Sequence, residues 1–162
     1  MKDKILFWMD SNLLYFGIAK YLKDKYDAEY FAITDYSEQL EKFFDKQNIL
    51  NFNKIWSYRE NVFLRNKKPD LEYLEKFEKT NNINLWKIAY SERVFYKYNK
   101  YHRFDANEIL EILEYECKFF EKVLDEIQPN FLIIKMVDYH HGELLSQICK
   151  NRGIKILTMS PT

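Results

Sequence analysis

The residues best equipped for proton chemistry in this sequence are two adjacent histidines within Asp138-Tyr139-His140-His141-Gly142. An imidazole gains and loses its proton near neutral pH, so either ring could act as a catalytic base or, when charged, hold an anion. Neighbouring positions at the start of a helix project in different directions. One histidine is therefore left for function and one for structure, and spacing does not separate His140 from His141. Tyr139 stands beside them as a substrate contact. A metal site would need further ligands, and none lies close by in sequence, so no metal is expected.

Asp10-Ser11-Asn12 is a second constellation. It follows an apolar run and precedes a helical pattern, a place where unpaired amides and the positive end of a helix dipole can meet a ligand. Asp10 would compete with a phosphate for those amides, which favours a neutral polar ligand such as a sugar hydroxyl. Asp10 is thus a candidate base, with Ser11 and Asn12 as substrate contacts, against the simpler reading of all three as a helix cap. A third stretch, Ser91-Glu92-Arg93, lies among Tyr90, Phe95, Tyr96, Tyr98 and Tyr101. Arg93 could there bind a phosphate or carboxylate, or stack on a ring. The plainer alternative is a surface pair between Glu92 and Arg93. Ser160, just beyond the last apolar run, completes the candidate substrate contacts.

Several chemistries are excluded by what is missing. The chain has no GxGxxG, GxxxxGK[ST], HExxH or GxSxG pattern, and its 3 glycines stand alone at Gly17, Gly142 and Gly153. No backbone segment is therefore shaped to wrap a pyrophosphate, and no cofactor is expected. With 25 basic and 25 acidic residues the formal net charge is +0, so nothing draws the chain to nucleic acid in bulk. Cys117 and Cys149 belong to no paired or metal-spaced set and read as buried, reduced thiols. The apolar run Ile5 to Met9 is too short for a signal core or a membrane span. A cytoplasmic address is expected, without a membrane span, although peripheral membrane association stays open. Aromatic residues reach 18%, read chiefly as a bulky core and otherwise as stacking surfaces for sugars or a partner.

The elements that must position these residues follow from periodicity. Ile5 to Met9 reads as a strand buried on both faces. Leu14, Ile18, Tyr21 and Leu22 mark the inner side of a first helix, and Ala28 to Ile33 a second strand. Asp35 to Lys46, with Leu40, Phe43 and Phe44, predicts another helix, and Asn53 to Tyr58 an edge strand. Pro69 to about Tyr101 predicts one or two helices, with Leu71, Leu74 and Phe77, then Leu85, Ile88 and Ala89, as apolar positions and a loop at Thr80-Asn81-Asn82. After Asp105, Ile109, Leu113, Cys117, Phe120, Leu124 and Ile127 step by three or four and predict a long helix, which Pro129 ends. Phe131 to Ile134 predicts a strand, Leu145, Ile148 and Cys149 a helix capped by Gly153, and Ile154 to Met159 the last strand. Right-handed crossovers then give an α/β fold of the Rossmann-like kind. It is a doubly wound, mostly parallel sheet of about five strands in the order 3-2-1-4-5, with a helical insertion between strands three and four. The last strand lacks a closing helix, which suggests a single domain spanning 1–162 that is the first half of a longer protein.

The carriers of a family resemblance are the strand Ile5-Leu6-Phe7-Trp8-Met9, Phe52-Asn53-Lys54-Ile55-Trp56, the Ser91-Glu92-Arg93 stretch, and Gln128-Pro129-Asn130-Phe131-Leu132 followed by Leu144 to Leu157. Together they resemble the N-terminal half of GT-B glycosyltransferases, in particular those of capsular and other surface polysaccharide synthesis. That resemblance implies an acceptor-side domain for sugar transfer from a nucleotide-sugar donor, inactive as this fragment. It also implies a carbohydrate acceptor and a separate C-terminal domain that binds the donor. In that setting Asp10, His140 or His141 would deprotonate the acceptor hydroxyl. The competing expectation is a non-catalytic, flavodoxin-like binding or regulatory domain.

Overall fold

The computed structural model describes the chain apart from Met1, Asn12, residues 36–39, 41, 43 and 45, Asn66, residues 98–99, 137–138 and 160–162, and the side chain of Met159. Asn12, Asp138 and Ser160 of the candidate residues lie outside the described residues. The chain forms two compact units, one of Met1–Glu60, Ile127–Met136 and Ile154–Thr162 and one of Asn61–Glu126 and Val137–Gly153.

The first unit holds the sheet. Strands β1 (Lys4–Met9), β2 (Glu29–Thr34), β3 (Lys54–Ser57), β4 (Phe131–Lys135) and β5 (Lys155–Met159) pair in the order β3-β2-β1-β4-β5. All four pairings are parallel. The expected Rossmann-like order is therefore observed, with a helical region between β3 and β4. Central β1 is buried on both faces, which is why its sequence runs apolar without alternation. Asn130 fixes the start of β4. Its side-chain oxygen accepts from the Lys4 amide at 2.8 Å, its own amide donates to the Lys4 carbonyl, and its carbonyl accepts from Lys155.

One face of β1 presents Ile5, Phe7 and Met9 to a core completed by Tyr30, Ala32, Leu50, Ile133 and the helix α1 (Leu13–Lys25). Phe7 stacks on Tyr30 with centroids 6.3 Å apart and meets Phe52 at 6.2 Å. The inner side of α1 differs from expectation. Tyr15 and Ala19 are buried and Phe16, Ile18 and Leu22 pack beside them, whereas Leu14 and Tyr21 are exposed. This helix is apolar nearly all round, so periodicity alone does not choose its face. Of the second expected helix, Leu40 and Phe44 are helical and pack against the same core; Phe43 lies outside the described residues. A short helix α2 (Tyr58–Asn61) follows β3 directly.

The second unit contains α3 (Leu71–Asn81), α4 (Leu85–Tyr90), α5 (Arg93–Tyr96), α6 (Ala106–Ile127) and α7 (His140–Asn151). In α3, Leu74 and Phe77 are buried but Leu71 is exposed. The expected loop at Thr80 to Asn82 shifts to Asn82–Asn84, and Asn82 takes a left-handed conformation and returns its amide to Glu78. Helix α6 opens on a reciprocal capping box: Asp105 accepts from the Glu108 amide and Glu108 from the Asp105 amide, both at 2.9 Å. All six residues of its expected apolar stripe are buried. It also buries acidic residues. Glu111 accepts the Arg65 amide at 2.8 Å and Glu114 the Asp70 amide at 2.7 Å, so these carboxylates hold backbone that no ladder satisfies.

Helix α7 ends as expected, with Gly153 at φ 71. A methyl group there would meet nothing within 4 Å, so the requirement is one of backbone conformation alone. Gly153→Ala should accordingly destabilise by about 1 kcal/mol, read as a lowered urea midpoint with an unchanged slope.

Candidate functional site

The functional geometry of the second unit is built around Glu92. This residue caps the N-terminus of α5, where its Oε1 accepts from the Val94 amide at 2.9 Å. Its Oε2 accepts from the His140 amide and from His140 Nδ1, each at 2.7 Å. Helix α7 begins at Tyr139 with no side-chain cap of its own, and Glu92 supplies the missing acceptor from 48 residues away. One carboxylate therefore ends two helix starts and fixes an imidazole.

The other edge of that imidazole faces α6. His140 Nε2 lies 3.0 Å from Glu116 Oε1, yet off the line of a hydrogen bond. The side chains are nearly closed to solvent, at 9% for His140, 1% for Glu92 and 0% for Glu116. Phe95 packs on the His140 ring at 4.7 Å, and His141 meets it edge-on at 5.3 Å. Tyr139 stacks on the His141 ring at 5.6 Å. Ligand atoms of Glu116, His140 and His141 all fall within 4.8 Å of one another.

Burial opposes charge on His140, but the carboxylates of Glu116 and Glu92 outweigh it and raise its pKa to about 10. Burial likewise opposes charge on Glu92, but bonds from the His140 ring and from the Val94 and His140 amides hold it down at about 2. In the metal-free molecule His140 is thus an imidazolium between two carboxylates at neutral pH. Its contribution to stability is complete below its ordinary pKa of 6.5 and is lost as pH rises through about 10. That of Glu92 is complete above its ordinary 4.5 and is lost as pH falls through about 2. Urea midpoints should therefore be highest between about pH 4.5 and 6.5 and decline on both sides.

A cavity of about 340 Å³ opens over this group, lined by Lys87 and Ile88 of α4, Ser91, Glu92, and Tyr139, His140, Glu143 and Gln147 at the start of α7. Seven of these eight residues carry polar side chains. Ser91 is held by its hydroxyl donating to the Ile88 carbonyl at 2.8 Å, and Gln147 by donating to Glu143 at 2.6 Å. The walls are thus pre-set by local bonds.

The structure brings Tyr139, His140 and His141 together and adds Glu92, which sequence reading weighed as the partner of Arg93 on the surface. That pairing is corrected: Glu92 is buried on His140, because two amides and an imidazole bind it more fully than one guanidinium in water could. Arg93 is exposed at the start of α5 and is absent from the cavity lining. Asp10 directly follows β1 in the first unit, where Lys135 at the end of β4 pairs with it at 3.0 Å, and Ser11 beside it is exposed. Glu116 escaped sequence reading, although a signal existed: it lies three residues after Leu113 and four before Phe120, inside an apolar stripe. Lys87, Glu143 and Gln147 carry no comparable mark.

Among the described residues no helix is long and apolar enough to cross a membrane. Cys117 and Cys149 are free and buried, and burial pushes the Cys149 thiol up to about 12.

No family model matches this chain, and no curated protein matches it. A solved structure of pantoate-beta-alanine ligase from Francisella tularensis, complexed with beta-gamma ATP and beta-alanine, is similar at a TM-score of 0.45 and 19% identity. The likeness covers 97% of this chain and 59% of that one, so the chain spans less than two thirds of its length. The expected kinship to GT-B glycosyltransferases of capsule synthesis is corrected by this finding, since the similar structure is a ligase and nothing ties the chain to sugar transfer. The alternative of a non-catalytic flavodoxin-like domain gains no support either. Apart from Ser91-Glu92-Arg93, the residues that carried the resemblance belong to strands, a proline-led strand entry and one helix, which serve any doubly wound sheet. The carbohydrate acceptor and the donor-binding domain rest on that resemblance alone. At this identity and score the likeness brings no ligase chemistry to the chain.

Proposed function

We propose that the second unit holds a small polar molecule in the cavity above the Glu92–His140–Glu116 group. The observation that carries this reading is a concave, polar-lined space of about 340 Å³ whose lining includes the buried Glu92–His140 pair. A cavity of that size suits a ligand of a few non-hydrogen atoms up to a small metabolite. Lys87 at one wall and Glu143 at another offer opposite charges, and Ser91 and Tyr139 offer hydroxyls, so recognition is by hydrogen bonds and charge. His140 acts here as a positioning residue: it holds the start of α7 against α5. Its two carboxylate neighbours make it a poor base for the ligand. The two free thiols favour a reducing, cytoplasmic setting for this binding.

The test is a thermal-shift panel of small polar metabolites, including amino acids, hydroxy acids and free sugars, run on the wild type and on Gln147→Trp, which fills the cavity. A concentration-dependent rise in Tm with the wild type and none with Gln147→Trp is expected. Equal rises in both proteins would place the binding elsewhere and remove the proposal.

A further inference from the structure

We infer that Glu116, His140 and His141 form a site for a divalent transition-metal ion of the zinc type. The claim stands whether or not the cavity takes an organic molecule. The donor set is two imidazoles and one carboxylate, delivered by α6 and by the first turn of α7. Such nitrogen and oxygen donors suit zinc and its neighbours better than magnesium or calcium, which favour oxygen alone.

The geometry supports the assignment at three points. First, Glu92 accepts from Nδ1 of His140 at 2.7 Å, which fixes the ring and leaves Nε2 as the inward-facing atom. A carboxylate behind a histidine in this manner orients metal-ligating imidazoles and raises their basicity. Second, Nε2 lies 3.0 Å from Glu116 Oε1 without hydrogen-bond geometry. Zinc binds nitrogen and oxygen donors at about 2.0–2.2 Å, which in a tetrahedral site sets two donors on one ion about 3.4 Å apart. A ring nitrogen and a carboxylate oxygen held close to that separation, both nearly closed to water, are bridged by a cation, either a proton on Nε2 or a metal ion that replaces it. Third, His141 is half-buried and its nearest ring nitrogen lies within 4.8 Å of the other two donors. Three protein ligands leave a fourth position open. His140 also lines the cavity.

A proton on Nε2 is the competing occupant, and the experiment separates the two. The full chain is stripped with a chelator, checked for fold by circular dichroism, and dialysed against micromolar ZnCl₂, with CoCl₂ as the spectroscopic probe. The expected result is one zinc per chain and a visible cobalt band of the four-coordinate kind. His141→Ala and Glu116→Gln should each weaken uptake by about tenfold or more. His102→Ala, which alters an exposed histidine beside Glu108, should leave it unchanged. If Glu116→Gln fails to fold, His141→Ala decides alone, because His141 lies outside the buried charge group. Absence of saturable uptake would overturn the inference, and so would uptake that survives His141→Ala or disappears only with His102→Ala. A filled cavity leaves this readout in place, so zinc uptake by Gln147→Trp distinguishes failure of the metal site from failure of the cavity reading.

Discussion

His140→Ala is expected to lower the unfolding free energy by about 3–5 kcal/mol. The substitution leaves Glu92 and Glu116 almost wholly buried with the cation between them removed. Their remaining options are protonation or local opening, and either draws on the stability of the fold. Part of the cost falls on the helix starts, because an uncompensated Glu92 is still needed by the Val94 and His140 amides. Chemical denaturation at pH 6 measures the effect. A loss below about 1 kcal/mol would mean that the group behaves as an exposed pair, contrary to its burial. The loss should shrink toward low pH, where Glu92 gains a proton.

Phe7→Ala is expected to cost a similar amount, about 3–5 kcal/mol, for a different reason. Phe7 is fully buried on the central strand and touches Tyr30 and Phe52 in a core that includes Tyr15 and Ala19 of α1. Removing the ring forfeits its transfer free energy and leaves a void that strands paired on both sides cannot collapse around. Unlike His140→Ala, this loss should be independent of pH. The pair of variants thus separates electrostatic from packing contributions in one set of denaturation curves.

What could be read in the sequence follows from where each signal resides. Strand β1, strand β4 and helix α6 announce themselves because each is a local pattern, an unbroken apolar run or a stripe at helical spacing. Their order in the sheet followed from the handedness of crossovers. The inner face of α1 was not legible, since Leu14, Tyr15, Ile18 and Tyr21 are all apolar or aromatic and only packing selects among them. The histidines could be found by their chemistry, but their partners could not. Glu92 reaches His140 across 48 residues, and no local pattern encodes that meeting. Glu116 is the instructive case: a carboxylate in the middle of an apolar stripe is costly unless paired, so its position implied a buried partner without naming it. The family resemblance misled because most of its carriers are strand residues, which report the sheet, while Glu92, also among them, meets His140 only through the tertiary fold.

The direct test of the account is the protonation state of His140 in the metal-free chain, read from the side-chain nitrogen resonances of the three histidines across a pH series. Both His140 nitrogens should be protonated at neutral pH, with deprotonation only as pH approaches about 10. A His140 ring that titrates near 6.5, as an ordinary imidazole does, would show that Glu92 and Glu116 do not enclose it, and the site would have to be abandoned.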